Sequence, residues 1–393
     1  MEENTNLKQY LPKDFKNDQS VRWCPGCGDH AVLNVLHKAM AELGIPPHMT
    51  AVISGIGCSS RLPYYMNTYG FHTIHGRGGA VATGFKVANP EITVWQIAGD
   101  GDGLAIGGNH FIHEVRRNVD LNLILLNNKI YGLTKGQYSP TSDRGFKSKS
   151  SPYGTVEDPF VPAELVFGAR GTFFARGIDV ELKINQEIMV AAAKHKGCSV
   201  VEILQNCMIF NDGIHKYITA RETRAERTIH LVHGEKMLFG ANNEKGLVQD
   251  GFGLKAVTVG QDGYTIDDVL VHDAHCANNF LHQQLAMMDG HDLPLALGVI
   301  RAVKEPSYEE GVQQQVEEVP AKYNYASLRD MALAGDTWVV KYTPTFLFLR
   351  QQDTHQRNCR IRYIFCDILL HHPCEWERSK MFFTPNRPLE KAS

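Results

Sequence analysis

The sequence is short of several features, and each shortage removes a class of protein. No apolar run approaches the length of a bilayer span. Residues 1–18 are polar and mixed in charge, without the apolar core of a secretion signal. The 40 Lys and Arg nearly balance the 43 Asp and Glu, for a formal net charge of −3. Such a chain has no overall bias toward a polyanion or an anionic surface. Repeats and low-complexity tracts are missing. So is a disulfide framework, because nine cysteines are an odd number in a long chain with no secretion signal. The expectation is a soluble, cytoplasmic protein that binds neither nucleic acid nor membrane.

What is present reads as an α/β fold. Residues 29–43 carry apolar side chains at 32, 35, 36, 39, 40 and 43, the spacing of a helix with one buried face. Short apolar runs at residues 50–53, 92–98, 121–126, 172–175 and 199–204 predict strands, and helices are predicted after residue 105 and across 181–196. Further strands are expected at 268–272 and 295–300. Apolar strands alternating with amphipathic helices predict a mostly parallel sheet flanked by helices, whose ligands gather at the carboxyl ends of strands. Residues after about 340 are rich in Arg, His and Cys and show no periodicity.

The sharpest motif is Gly99-Asp100-Gly101 followed, after 25 intervening residues, by Asn127-Asn128. A diphosphate held through Mg²⁺ needs a few hard oxygen ligands, with other positions of the octahedron left for phosphate. The Asp100 carboxylate and the Asn128 amide, at the ends of two strands, supply them, and the Ile130 carbonyl is placed to be a third. Glycines beside Asp100 let the backbone approach phosphate, and a helix N-terminus adds positive potential. Alone, a Gly-Asp-Gly turn or an Asn pair is more often structural. Together, each directly after an apolar strand, they are specific.

Four cysteines form the second constellation. Cys24 and Cys27 stand two residues apart before the first helix, Cys58 follows a strand, and Cys207 follows another. A [4Fe–4S] cluster takes four thiolates, often two of them from such a turn. Zinc competes, although structural zinc sites with short spacings usually offer a second local pair. Spacing alone leaves the two close to even. The neighbouring Gly-Asp-Gly and Asn-Asn arrangement resembles the thiamine-diphosphate motif, and it favours a cluster because a cluster gives that cofactor an electron exit. Cys198 and Cys276 read as small buried residues. A second metal site at Cys359, Cys366 and Cys374 has little to support it.

With these residues in hand, the chain resembles the β subunits of the 2-oxoacid:ferredoxin oxidoreductases. The resemblance runs from about residue 21 to about 340. It rests on WCPGCGDH, GIGCSSR, HGR, ATGFKVANP, AGDGDGLAIGGNH, LNNKIYGLTKGQYSPTS and QNCMIFND. It implies a thiamine-diphosphate-binding fold with cluster ligands Cys24, Cys27, Cys58 and Cys207, and Mg²⁺ ligands Asp100, Asn128 and the Ile130 carbonyl. Gly57, Ser59, Gly101, Asp102, Leu133 and Thr134 then border the diphosphate and thiazolium, and Asp29 lies near the aminopyrimidine. Arg61 and His75 are the expected catalytic side chains, with Arg61 receiving the distal carboxylate of a substrate such as 2-oxoglutarate. The stretch YGLTKGQ is similar to relatives that accept 2-oxoglutarate, where pyruvate-specific ones tend to carry an Asn-Thr-Gly run. The implied reaction converts a 2-oxoacid, coenzyme A and two oxidised ferredoxins into acyl-CoA, CO2 and reduced ferredoxin. A companion α subunit is expected to supply the carboxylate at the cofactor N1′.

The resemblance also divides the chain. Residues 1–210 are expected to form the thiamine-diphosphate-binding domain with the cluster ligands, 211–340 the rest of the β subunit, and 341–393 an atypical extension of no assigned structure. Gly78-Gly79-Ala80 stands where many relatives carry an alanine and a nearby proline, which implies a looser backbone. Three rivals remain at this point. A non-redox thiamine enzyme leaves the four cysteines idle, a non-catalytic iron–sulfur or zinc scaffold leaves the Mg²⁺ motif idle, and pyruvate competes as substrate.

Overall fold

A computed structural model of the chain describes residues 9–322 and 325–335. The expected extension at 341–393, with its three cysteines, lies outside the described residues. Residues up to Tyr325 form one compact unit. In the separate unit that begins at Ala326, Ser327 caps a short helix, Leu328–Ala332, by accepting the Asp330 amide at 3.1 Å.

The centre of the compact unit is an eight-stranded sheet. Its strands are β1 (Thr50–Ser54), β2 (Tyr69–His72), β3 (Thr93–Gly99), β4 (Asn122–Asn127), β5 (Phe173–Ile178), β6 (Ser199–Leu204), β7 (Thr228–Leu231) and, after a smaller sheet, β11 (Leu295–Ala302). The spatial order is β2-β1-β3-β4-β6-β5-β11-β7, and every pairing is parallel except β5 with β11. The mostly parallel sheet is therefore as expected. A three-stranded antiparallel sheet of β8 (Leu238–Phe239), β9 (Lys245–Asp250) and β10 (Gly253–Thr258) has no counterpart in the sequence reading.

Continuous apolar runs form the inner strands because both faces of the sheet are covered. On one face α1 (Asp29–Leu43) and α6 (Leu182–Lys194) pack Val32, Leu36, Ile188 and Met189 against Val52, Ile124, Leu126 and Val201. On the other, α2 (Gly78–Ala88), α4 (Gly108–Arg117) and α5 (Pro162–Gly168) pack Ala82, Phe111, Val115 and Val166 against Ile53, Leu123, Leu125 and Val200. Successive strand residues alternate between the two cores, the period-2 signature of a strand.

Two local expectations are corrected. Residues 268–272 do not form a strand: a 3₁₀ turn covers Ile266–Asp268, and Val271 makes only an isolated bridge to Lys236. The Gly78-Gly79-Ala80 backbone is not loose either, because it opens α2. A Cβ at Gly79 would stand 2.1 Å from Glu114 Oε2, so the glycine is there to let α2 meet α4. Among the described residues, no helix is long and apolar enough to cross a membrane.

The topology decides where chemistry is possible. Strands β1, β3, β4 and β6 are consecutive neighbours, and their carboxyl ends lie level: Ser54 pairs with Ile97, Gly99 with Leu126, and Asn127 with Leu204. The segments carrying Cys58, Asp100, Asn128 and Cys207 leave the sheet from these adjacent ends.

Candidate active site

The site is built on the joint between β3 and α3 (Asp100–Leu104). Asp100 is 2% exposed, and its Oδ2 accepts hydrogen bonds from Ser139 Oγ at 2.5 Å and Thr141 Oγ1 at 2.6 Å. Burial pushes this carboxyl up from its ordinary range, against the pull of the Ser139 and Thr141 hydroxyls. No described Lys, Arg or His pairs with it. A buried carboxylate lacking a cationic partner is costly, and a divalent cation beside it would supply the missing charge. Asn128 follows β4; its Oδ1 accepts from the Ile130 amide at 3.2 Å, and its Nδ2 donates to Gln205. Gly101 has no room for a side chain, since a Cβ would lie 2.3 Å from the Tyr131 ring. The Tyr131 hydroxyl donates to the Gly101 carbonyl at 2.8 Å and ties the loop after β4 to α3. A cleft of about 760 Å³, lined by Leu104, Ala105, Gly108, Tyr131, Ser139 and Phe160, adjoins this corner.

The four expected cysteines are brought together from three segments. The Cys27 amide bonds to the Cys24 carbonyl at 3.1 Å, closing the turn before α1. Trp23 Nε1 reaches the Cys58 carbonyl at 2.6 Å, and the Gly28 amide reaches the Asn206 carbonyl at 3.3 Å. The three loops are thus stitched to one another by hydrogen bonds to backbone carbonyls, one of them from the Trp23 indole. Gly132 sits against the sulfurs: a Cβ there would be 3.5 Å from Cys58 Sγ and 3.6 Å from Cys207 Sγ. Burial pushes the Cys58 thiol up to about 11, with Asp29, Cys207 and Cys24 adding to it, while Arg61 pulls it down. Burial, with the Asp29 carboxyl and the Cys207 and Cys58 thiols behind it, raises Cys27 as well. Ionised together these sulfurs would repel one another, and a bound metal would offset that repulsion as it releases their protons. Among the described residues, no group of three or more His, Cys, Asp and Glu side chains is gathered closely enough for a single ion. A four-iron cluster spreads its thiolates round a larger body, and Mg²⁺ needs only a carboxylate with neutral oxygens.

The remaining expected residues border these two groups. Asp29 is 3% exposed, and its Oδ1 is buried without a hydrogen-bond partner. Burial pushes its carboxyl up to about 7, with the Cys27 thiol pulling down and Asp179 pushing up. Asp102 is a hub whose Oδ1 accepts from His75 Nδ1 at 2.7 Å and from the amides of Gly76 and Ile56. A carboxylate oxygen only accepts, so His75 Nδ1 carries the proton of this hydrogen bond. Gly57 lies in the loop after β1, and Ser59 is buried against the end of β3, with a Gly99 Cβ 3.3 Å from its Oγ. Arg61 lies in a 3₁₀ turn after Cys58, its Nε buried without a partner. Leu133 and Thr134 are exposed, and Thr134 is held by Gln137. Cys198 is fully buried in the core. Sequence reasoning missed Ser139, Thr141, Tyr131 and Gln205. They carry no spacing rule, and only folding brings residues up to 41 positions apart onto Asp100.

Comparison with known proteins gives the family. Residues 55–203 match the family model for the C-terminal, thiamine-pyrophosphate-binding domain of thiamine pyrophosphate enzymes. The chain is 45% identical over 331 residues to the 2-oxoglutarate oxidoreductase subunit KorB of Mycobacterium tuberculosis, covering 84% of this chain and 88% of that one. It belongs to the β subunits of the 2-oxoacid:ferredoxin oxidoreductases. The β subunit is also 45% identical over 185 residues to the 2-oxoglutarate synthase subunit KorB of Archaeoglobus fulgidus, spanning 47% of this chain and 69% of that one. Among solved structures, it is similar to a 2-oxoglutarate:ferredoxin oxidoreductase from Magnetococcus marinus with 2-oxoglutarate, coenzyme A and succinyl-CoA bound. That likeness has a TM-score of 0.67 at 32% identity, over 84% of this chain and 98% of the other.

Proposed function

We propose that this β subunit, with a companion α subunit, catalyses the coenzyme A-dependent oxidative decarboxylation of 2-oxoglutarate to succinyl-CoA and CO2, or its reverse. Electrons pass through a [4Fe–4S] cluster to ferredoxin. The observation that carries the reading is the meeting of two groups at adjacent strand ends: the corner formed by buried Asp100 and by Asn128, and the cysteine group, of which Cys58 and Cys207 lie against Gly132. A non-redox thiamine enzyme has no use for the second group, and a scaffold has no use for the first.

In this reading Asp100, Asn128 and the Ile130 carbonyl hold Mg²⁺, and Cys24, Cys27, Cys58 and Cys207 hold the cluster. Thiamine diphosphate, when bound, supplies the electron sink that decarboxylation needs. The chain's own residues orient and shield it. Ser139 and Thr141 fix the Asp100 carboxylate, and Gly101 lets Tyr131 clamp the loop. His75, held through Nδ1 by Asp102, presents Nε2 as a proton acceptor at the reacting end. Asp29, whose carboxyl burial pushes up to about 7, would lie near the aminopyrimidine. The carboxylate at N1′ comes from the α subunit. The free thiols fit a reducing cytoplasm.

2-Oxoglutarate is favoured over pyruvate because Arg61 keeps a buried nitrogen unpaired beside the cluster turn. A guanidinium there suits a distal carboxylate. The test is reduction of ferredoxin or a viologen by the complete complex, scanned over several 2-oxoacids with coenzyme A. 2-Oxoglutarate should give the highest kcat/KM. Arg61→Ile should lower it about tenfold or more, the worth of a charge-assisted pair, with much less effect on pyruvate. A proportional fall for every substrate would assign Arg61 to the fold and remove this ground for 2-oxoglutarate.

A further inference from the structure

Gln205 is the first residue beyond β6, and it touches both halves of the site. It is 1% exposed, and its backbone amide bonds to the Asn127 carbonyl at 2.9 Å, which carries the β4–β6 ladder one step past the sheet. Its side-chain amide makes three contacts. Nε2 donates to the Asn206 carbonyl at 2.6 Å and to Cys27 Sγ at 3.3 Å. Oε1 accepts from Asn128 Nδ2 at 2.9 Å.

The orientation of this amide is determined from both ends. A backbone carbonyl only accepts, so the nitrogen of Gln205 must face Asn206, and Oε1 is left for Asn128. Asn128 must then turn Nδ2 toward Gln205. Its Oδ1, which already accepts from the Ile130 amide, is the atom kept for a cation. At the other end, an N–H donated to a thiolate sulfur stabilises the more negatively charged, reduced form of a cluster and raises its potential. The buried position matters, because water does not compete for the sulfur there.

We propose that Gln205 is a positioning residue serving both cofactors, which fixes the Asn128 amide for the cation and sets the reduction potential of the cluster through Cys27. The proposal rests on the assignment of Cys27 and Asn128 as ligands. It makes one rigid side chain the shared support of the electron donor's anchor and the electron acceptor.

The test uses the complete complex, with EPR-monitored redox titration of the cluster and, separately, titration of Mg²⁺ in the presence of thiamine diphosphate. Gln205→Met keeps the volume and removes all three side-chain hydrogen bonds, those to Cys27 and Asn128 included. Its cluster should become harder to reduce by threefold or more in the equilibrium, roughly 30 mV for one electron. Its Mg²⁺ affinity should fall about fivefold, the factor of one hydrogen bond. Gln205→Glu keeps an acceptor for Asn128 but loses the donor, so its potential should fall while Mg²⁺ affinity stays near that of the parent. Parent-like potentials in both variants, with clusters intact, would overturn the proposal. Loss of the cluster in both would overturn it as well, showing that Gln205 serves assembly rather than tuning. A parent complex with no cluster signal tied to Cys27 would instead sink the ligand assignment underneath.

Discussion

At the scale of single residues, the site's charge balance is its main physical fact. Asp100 is a buried carboxylate steadied by two hydroxyls, and it is the one charged protein ligand in the proposed Mg²⁺ site. Asp100→Ala should abolish retention of thiamine diphosphate through gel filtration and leave the iron and sulfide content unchanged. Cofactor carried through the column by the variant would refute the role given to Asp100. The side chains that could be named from sequence were those held by a motif: Asp100, Asn128 and the Cys24–Cys27 pair. Ser139, Thr141 and Gln205 were not legible. Their partners lie 39, 41 and 77 positions away in Asp100 and Asn128, and nothing in a hydroxyl or amide residue announces which strand end it will meet. His75 and Asp102 were each legible by resemblance, but the hydrogen bond that sets the histidine tautomer was not.

Elements were legible wherever burial on both faces of the sheet forced continuous apolar runs, as in β4 and β6. The small antiparallel sheet escaped because β8 has two residues and β10 buries only Val257, so neither carries a run of core residues. Residues 268–272 misled for the opposite reason: an apolar run there packs as a connector with a single bridge. Helix α2 was obscured by its opening glycines, of which Gly79 admits Glu114 from α4. Glu114 is 1% exposed, its Oε1 has no partner, and the Gln96 amide nitrogen, correctly turned, lies 2.9 Å from Oε2. Burial pushes its carboxyl well above the ordinary range, with Gln96 only partly opposing. The sign of the linkage follows. Below the unfolded carboxyl range both states are protonated and the group costs nothing. As pH rises above that range, the unfolded chain loses its proton first, and stability declines until the folded value is reached. Glu114→Gln removes this penalty. The variant should therefore melt higher than the parent at pH 8, with the gap closing toward pH 4. Parallel melting profiles across that range would contradict a protonated Glu114 between α2 and α4.

At the scale of the whole molecule, exposed apolar side chains border the proposed cofactor site of the β subunit. Ile74, Ile106 and Leu133, beside His75, α3 and the loop after β4, are 75%, 53% and 50% exposed. Catalysis needs a carboxylate at the cofactor N1′ and exclusion of water, and both are assigned to the α subunit. The isolated β subunit should bind Mg²⁺ and thiamine diphosphate yet show no turnover of any 2-oxoacid; full activity from this chain alone would end the two-subunit reading. The central claim is that electrons from the substrate pass into a cluster held by these four thiols. It is tested most directly by freeze-quench EPR of the complete complex mixed with 2-oxoglutarate and coenzyme A in the absence of ferredoxin. The parent and Cys198→Ala should develop the signal of a reduced [4Fe–4S] cluster, whereas Cys207→Ala should retain thiamine diphosphate and lose that signal. Equal signals in Cys207→Ala and Cys198→Ala, or succinyl-CoA formed while the cluster stays oxidised, would contradict the account.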